Sequence, residues 1–324
     1  MKPRLLAAVI AILLTLTACG SGGTTALTKL TIGLTYQPDI QFAPIYVAAE
    51  KGYFTNAGLD VTIRHHGASE SLFGALQAGQ EDVVFAGGDE MMQARSQGVD
   101  VINIATVYQQ YPATVLVPAA TPVTDMTSLR GKSIGLPGEY GENWFALLLL
   151  LQQAGMTRDD VNVVSIGYTQ QAALMSGKVD AVVGFINNDA VRFDQAGFAV
   201  QALQLQGLVG AGLGVSSQTL QTQTSALKAM WGAIAKALKV CVDAPQQAID
   251  AAKVYVPGLD QADNQAVATA TLFASTHLYG TTFGQQNAAT WASMADFMAG
   301  VGLLDKPVVA TDAYTTVIVP PIMS

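Results

Sequence analysis

Apolar and polar positions along this chain switch repeatedly between a period of two and a period near 3.6, the rhythm of alternating strands and helices. Residues 29–35, KLTIGLT, alternate as a half-buried strand, and residues 44–50 follow as a helix with Pro44 in its first turn. Gly52, the aromatic pair Tyr53 and Phe54, and Asn56-Ala57-Gly58 turn the chain back into a strand at 60–64. A helix at 69–78, a buried strand at 82–86, a helix at 90–97 and a strand at 101–108 continue the alternation, with residues 113–118 extended beyond them. Such an order predicts an α/β fold built on doubly wound sheets, with glycine-rich turns at strand C-termini.

A second unit of the same kind begins near residue 118. It has a strand at 133–136, an apolar helix at 143–154 carrying five consecutive leucines, a strand at 161–166, a helix at 169–176 and a strand at 181–185. The leucine run is too short to span a bilayer, which takes about 20 residues, and is expected in a core. The segment MSGKVDAVV at 175–183 repeats in outline LQAGQEDVVF at 76–85: a helix stops at Gly, and an acidic residue precedes a hidden strand. The glycine-rich apolar stretch 205–216 is expected to return the chain to the first unit. Helices at 221–242, 245–255, 261–275 and 286–299 would dress it, and 315–323 would lie against it as a tail. The expected division is lobe I at 28–117 and 208–324 and lobe II at 118–207, hinged at crossings near 115–118 and 207–214, with Tyr111-Pro112 marking where the chain could leave lobe I. About 300 residues after the leader exceed a comfortable single core and fit two lobes.

The first 19 residues have the pattern of an export signal: Lys2 and Arg4, an uncharged apolar run, then Leu16-Thr17-Ala18-Cys19, which resembles a lipobox. Cys19 is the expected lipidation site, 20–27 a tether, and the location extracytoplasmic at the membrane. Acyl chains contribute about 0.8 kcal/mol per buried CH₂. The chain has two cysteines and three histidines. With Cys19 lipidated, Cys241 stands alone as a small core residue, and no disulfide or cysteine metal site is expected. His65, His66 and His277 read as surface residues, and neither a metal nor a cofactor is expected. Without Lys2 and Arg4 the formal charge falls from −8 to −10, which disfavours nucleic acid.

In open α/β sheets a ligand lies beyond the strand C-termini. That rule nominates loops 36–42, 67–71, 87–90, 108–112, 138–144 and 185–189. They supply rings (Tyr36, Phe42, Tyr108, Tyr111, Tyr140, Trp144, Phe185), carboxylates (Asp89, Glu139, Glu142, Asp189) and polar groups (Gln37, Gln41, Ser69, Gln109, Asn187, Asn188), with Gly87 at a helix start. Arginine is absent from them. A sulfonate or nitrate site would want guanidinium or ammonium partners. Rings with amides and carboxylates suit a flat heteroaromatic whose edge donates hydrogen bonds, although an acidic residue at a helix start also serves simply as a dipole partner.

The stretches FAPIYVAAEKGYFTNAGLDV at 42–61, LFGALQAGQEDVVFAGG at 72–88 and YQQYP at 108–112 resemble the solute-binding proteins of bacterial uptake systems for sulfonates, nitrate and thiamine-type pyrimidines. They are most similar to the branch for thiamine precursors and riboflavin. The resemblance covers about residues 29–200. It implies a two-lobed periplasmic-binding-protein fold of type II with a two-strand hinge, a monomer that traps a small nutrient, and delivery to an ABC permease driven by a separate ATPase. Phe42, Asp89, Tyr108 and Trp144 are the positions it points to most. Two alternatives stay open: the same fold taking an alkanesulfonate or nitrate, and a thiamine-pyrimidine synthase or adhesion module. Against the enzyme, the cysteine-rich motif of that branch is missing, as are a phosphate loop and a Ser–His–Asp or Cys–His spacing.

Overall fold

The computed structural model describes residues 26–67 and 70–322. The expected leader, Cys19 and Ser69 lie outside the described residues. The first sheet contains β1 (Thr28–Leu34), β2 (Leu59–His65), β3 (Val83–Gly87) and β4 (Ile102–Thr106), joined by α1 (Ala43–Glu50), the single turn α2 (Tyr53–Asn56), α3 (Gly74–Gln77) and α4 (Gly88–Ser96). The chain then enters a second sheet with β5 (Ala113–Pro118), β6 (Ser133–Leu136), β7 (Asn162–Ser165), β8 (Ala181–Phe185) and β9 (Val200–Ala202). Its helices are α5 (Gly141–Gln153), α6 (Gln170–Met175) and α7 (Asp189–Gln195). β10 (Ala211–Val215) returns to the first sheet, and α8 (Ser217–Asp243), α9 (Pro245–Ala252), α10 (Ala262–Leu278) and α11 (Ala288–Gly300) complete the chain.

The sheet orders are β2-β1-β3-β10-β4 and β7-β6-β8-β5-β9. Each is parallel through its first three strands, and its fourth, which arrives from the other lobe, runs antiparallel to both neighbours. The repeated sequence motif corresponds to one device used twice. Asp82 accepts from the Thr31 N–H at 2.8 Å, and Asp180 accepts from the Ser133 N–H at 2.8 Å. Each carboxylate thereby ties the start of a buried strand to the strand beside it, just past a left-handed glycine, Gly79 or Gly177.

Three expectations change. Residues 113–118 pair with β8 and β9, so the first crossing lies at 107–112 and not near 118. Helix α11 does not dress lobe I: Trp291, Met294, Phe297 and Met298 pack into the cluster built on Phe145, Leu147, Leu149 and Leu151 of α5, because its apolar face meets the leucine run. The tail does meet lobe I, where the Thr315 N–H donates to the Asn103 carbonyl at 2.9 Å and Ile318 and Val319 are buried. Finally, α7 and the three-residue edge strand β9 were not foreseen.

The two crossings touch. Val107 and Tyr108 both donate their N–H to the Ala211 carbonyl at 2.9 Å. A side chain at Gly210 would run into the Tyr108 carbonyl, so only glycine lets the two crossings lie this close. Among the described residues no helix is long and apolar enough to cross a membrane.

Candidate functional site

β3 ends in Gly87 and runs straight into α4, whose first turn carries Asp89 and Glu90. Glu90 accepts the Gly87 N–H at 3.0 Å, a side chain closing over the helix N-terminus. Across the lobe boundary, α5 starts after Tyr140 and carries Glu142 in its own first turn. Tyr111, in the crossing segment, joins the two: its hydroxyl donates to Asp89 Oδ2 at 2.6 Å and lies 3.1 Å from the Glu142 carbonyl oxygen. A Cβ placed on Gly87 would stand 2.5 Å from Asp89 Oδ1, 2.9 Å from Glu142 Oε1 and 3.2 Å from Glu90 Oε2. Glycine is what allows three carboxylates from two lobes to converge there.

None of the three takes part in an ion pair among the described residues. Glu142 Oε1 is buried without a partner. Burial, then the charge of Glu90, pushes the Asp89 carboxyl up to about 8. Burial raises Glu90, and burial followed by the charges of Glu90 and Asp89 raises Glu142 well above the carboxylate range. The Tyr111 phenol rises too, from burial first and then from Asp89.

Rings flank this acidic centre. Phe42 meets Phe85 edge-on at 5.6 Å, Phe85 meets Tyr108 edge-on at 6.2 Å, and Tyr108 stacks on Tyr279 at 5.7 Å. This chain of rings forms part of lobe I's core, with Phe42 and Tyr108 buried and the Tyr108 hydroxyl directed at the Gln41 carbonyl at 3.3 Å. Three tyrosines stay open to solvent: Tyr36 of lobe I and Tyr140 and Tyr168 of lobe II. The Tyr168 phenol rises to about 12 through partial desolvation, then through the neighbouring Tyr140 hydroxyl, Tyr36 and Glu90, so these groups share one neighbourhood. Gln37 donates to the Tyr36 hydroxyl at 3.4 Å. Trp144 and Phe185 are partly buried against the lobe II cluster.

Asn187 is fully buried at the lobe boundary and donates to Ser275 Oγ of α10 at 2.9 Å, with its own Oδ1 unpartnered. Asp189 accepts the Phe185 N–H at 2.8 Å at the start of α7, a dipole partner whose carboxyl burial raises. Glu139 departs from expectation: it is exposed and pairs with Arg158 at 2.8 Å, because the turn before α5 sends it outward while Glu142 goes in. Sequence reasoning missed Tyr168, although the strand-end rule applied to β7 would have found it. It also missed Arg192, whose charge reaches Tyr36 and Asp189 and whose Nε is held by Asn188 at 2.7 Å.

Two of the three histidines differ from expectation, while His277 is exposed as expected. His66 is buried and bonds Glu81 at 2.8 Å, and Arg64 reaches Glu81 and Glu70 at 2.6 Å each. His65 bonds the Tyr46 hydroxyl at 2.8 Å. His66 and Arg64 turn inward because Glu81, itself buried, accepts from both, whereas His65 is held by Tyr46. Gly33 leaves the space its carboxylate fills. His66, Glu70 and Glu81 are close enough together to ligate an ion, but the Arg64 guanidinium already bonds both carboxylates.

Two lobes of matching topology, exchanging one strand each and facing one another across acids and rings, define a two-lobed solute-binding protein. Residues 39–248 match the family described as NMT1/THI5 like, and the chain belongs to that family. It is 31% identical over 99% of both chains to the riboflavin-binding protein RibY of Chloroflexus aurantiacus. To the formylaminopyrimidine-binding protein of Halalkalibacterium halodurans it is 23% identical, over 90% of this chain and 91% of that one. In three dimensions it is similar to the periplasmic aliphatic sulphonate binding protein SsuA from Escherichia coli, with a TM-score of 0.72 at 17% identity over 88% of this chain and 97% of that one.

Proposed function

We propose that this protein captures a small flat heteroaromatic nutrient, a flavin or an aminopyrimidine, between its lobes and passes it to an ABC permease powered by a separate ATPase. The observation that carries this reading is the convergence of Asp89, Glu90 and Glu142 from both lobes, without an ion-pair partner, beside Tyr36, Tyr140 and Tyr168. Rings hold a planar guest face-on, and carboxylates accept hydrogen bonds from its edge. An anion would meet repulsion there. The relatives matched over nearly their whole length are named for binding riboflavin and formylaminopyrimidine, and they support the same class of ligand. Anchoring through a lipid on Cys19 would keep the receptor beside its permease. Binding without chemical turnover is the reading favoured for the cleft.

Contacts made to both lobes at once favour the closed form. Thermal-shift screening of the chain from residue 20 onward against riboflavin, aminopyrimidines, taurine and nitrate tests the proposal. A ligand at 100 times its dissociation constant adds about 2.7 kcal/mol. Stabilisation by one heteroaromatic class is expected, and stabilisation by taurine or nitrate alone would overturn the choice of ligand.

A further inference from the structure

The three cleft carboxylates come from two bodies that must separate and rejoin. Asp89 and Glu90 ride on α4 of lobe I, Glu142 on α5 of lobe II, and Tyr111 lies in the crossing between them. Closing the lobes therefore brings like charges together with no ion-pair partner, and it leaves Glu142 Oε1 buried and unbonded. Charges buried this way cannot all stay ionised, and one or more must be held as the acid. We infer that this cluster is a proton latch, in which protons shared among the carboxylates hold the empty lobes together and a ligand's N–H donors displace them on binding. The inference rests on the heteroaromatic reading and adds to it the edge chemistry of the ligand and the regulation of closure. The groups facing the cluster are Tyr108 and Tyr111 from the crossing, and Tyr140, Tyr168 and Tyr36 from the surrounding loops, all phenols.

The sign follows from linkage. The carboxyls are harder to ionise in the closed form, so closure takes up protons and is favoured at low pH. That preference is lost as pH rises through about 8, where Asp89 gives up its proton. A ligand that brings its own donors releases protons on binding. Its affinity therefore rises with pH, by up to about tenfold per pH unit for each proton released, and levels off once the cluster is ionised.

Small-angle X-ray scattering of the ligand-free chain from about pH 5.5 to about pH 9.5 tests the latch directly. Wild type is expected to expand as pH rises, while Glu142→Gln stays compact throughout. A wild-type radius of gyration that does not change over this range would overturn the latch. Circular dichroism checks that the variant is folded, and Asp89→Asn provides a second variant with the same expected outcome. Calorimetry with riboflavin and with 4-aminopyrimidine across the same range reads the exchange: affinity rising with pH supports it, and a flat profile overturns it. If neither probe binds at any pH, the ligand reading fails, while the scattering still decides the latch.

Discussion

Two clusters of buried carboxylates in this molecule obey opposite rules. In the lobe I cluster, Glu81 is enclosed but answered by His66 and Arg64, with Glu70 taking the guanidinium's other edge. In the cleft, Asp89 is enclosed and Glu90 and Glu142 are half-buried, and they are answered only by a phenol and backbone N–H groups. The first arrangement belongs to one body and braces the end of β2 against the turn before β3. The second straddles two bodies and lacks what would complete it. A buried acid with its counter-charge supports the fold, whereas buried acids without one mark where a ligand or a proton is wanted.

Breaking the compensated cluster should cost most. Glu81→Ala leaves His66 buried without its carboxylate partner and Arg64 held by Glu70 alone, and a loss of about 3 kcal/mol is expected in urea denaturation. A loss under a tenth of that would mean the network contributes nothing and would erase the contrast. Gly33→Ala pushes a methyl into the Glu81 carboxylate, and overpacking of this kind should cost about 2 kcal/mol by the same assay.

The cleft should respond through binding and pH instead. Tyr168→Ala should weaken a heteroaromatic ligand by about 1 kcal/mol in calorimetric titration, close to fivefold, while the unfolding midpoint stays in place. Because burial raises the Asp89 carboxyl to about 8, the folded chain holds a proton that the unfolded chain releases at a lower pH. Stability should therefore fall as pH rises from about 4 through about 8, by up to about 1.4 kcal/mol per pH unit, and Glu142→Gln should flatten that fall in melting curves. The smallest effect belongs to Glu139→Ala, which removes an exposed pair with Arg158; stability within about 0.5 kcal/mol of wild type and unaltered ligand affinity are expected.

Much of this architecture was legible in the sequence because it is carried by local pattern. Alternation marked β1, a continuous apolar run marked β8, Pro44 marked the start of α1, and the Gly-acid echo at residues 79–82 and 177–180 announced the same strand-tying carboxylate in both lobes. What failed depends on partners distant in the chain. Nothing local tells that 113–118 pairs with β8 and β9, that α11 sits on the leucines of α5, or that His66 turns inward to an acid fifteen residues on while His65 bonds Tyr46. The strand-end rule nominated Tyr36, Asp89, Tyr111 and Tyr140 for the cleft but not which carboxylate of the 138–144 loop faces inward. Glu139 and Glu142 are three residues apart, and the turn into α5 sends one out and the other in.

Parallel calorimetric titrations of wild type and Tyr140→Ala with riboflavin, an aminopyrimidine and taurine put the central claim to its most direct test. Saturable binding of one heteroaromatic and none of taurine is expected, with the heteroaromatic weakened in the variant. Saturable binding of taurine, with both ring compounds giving no heat, would contradict it.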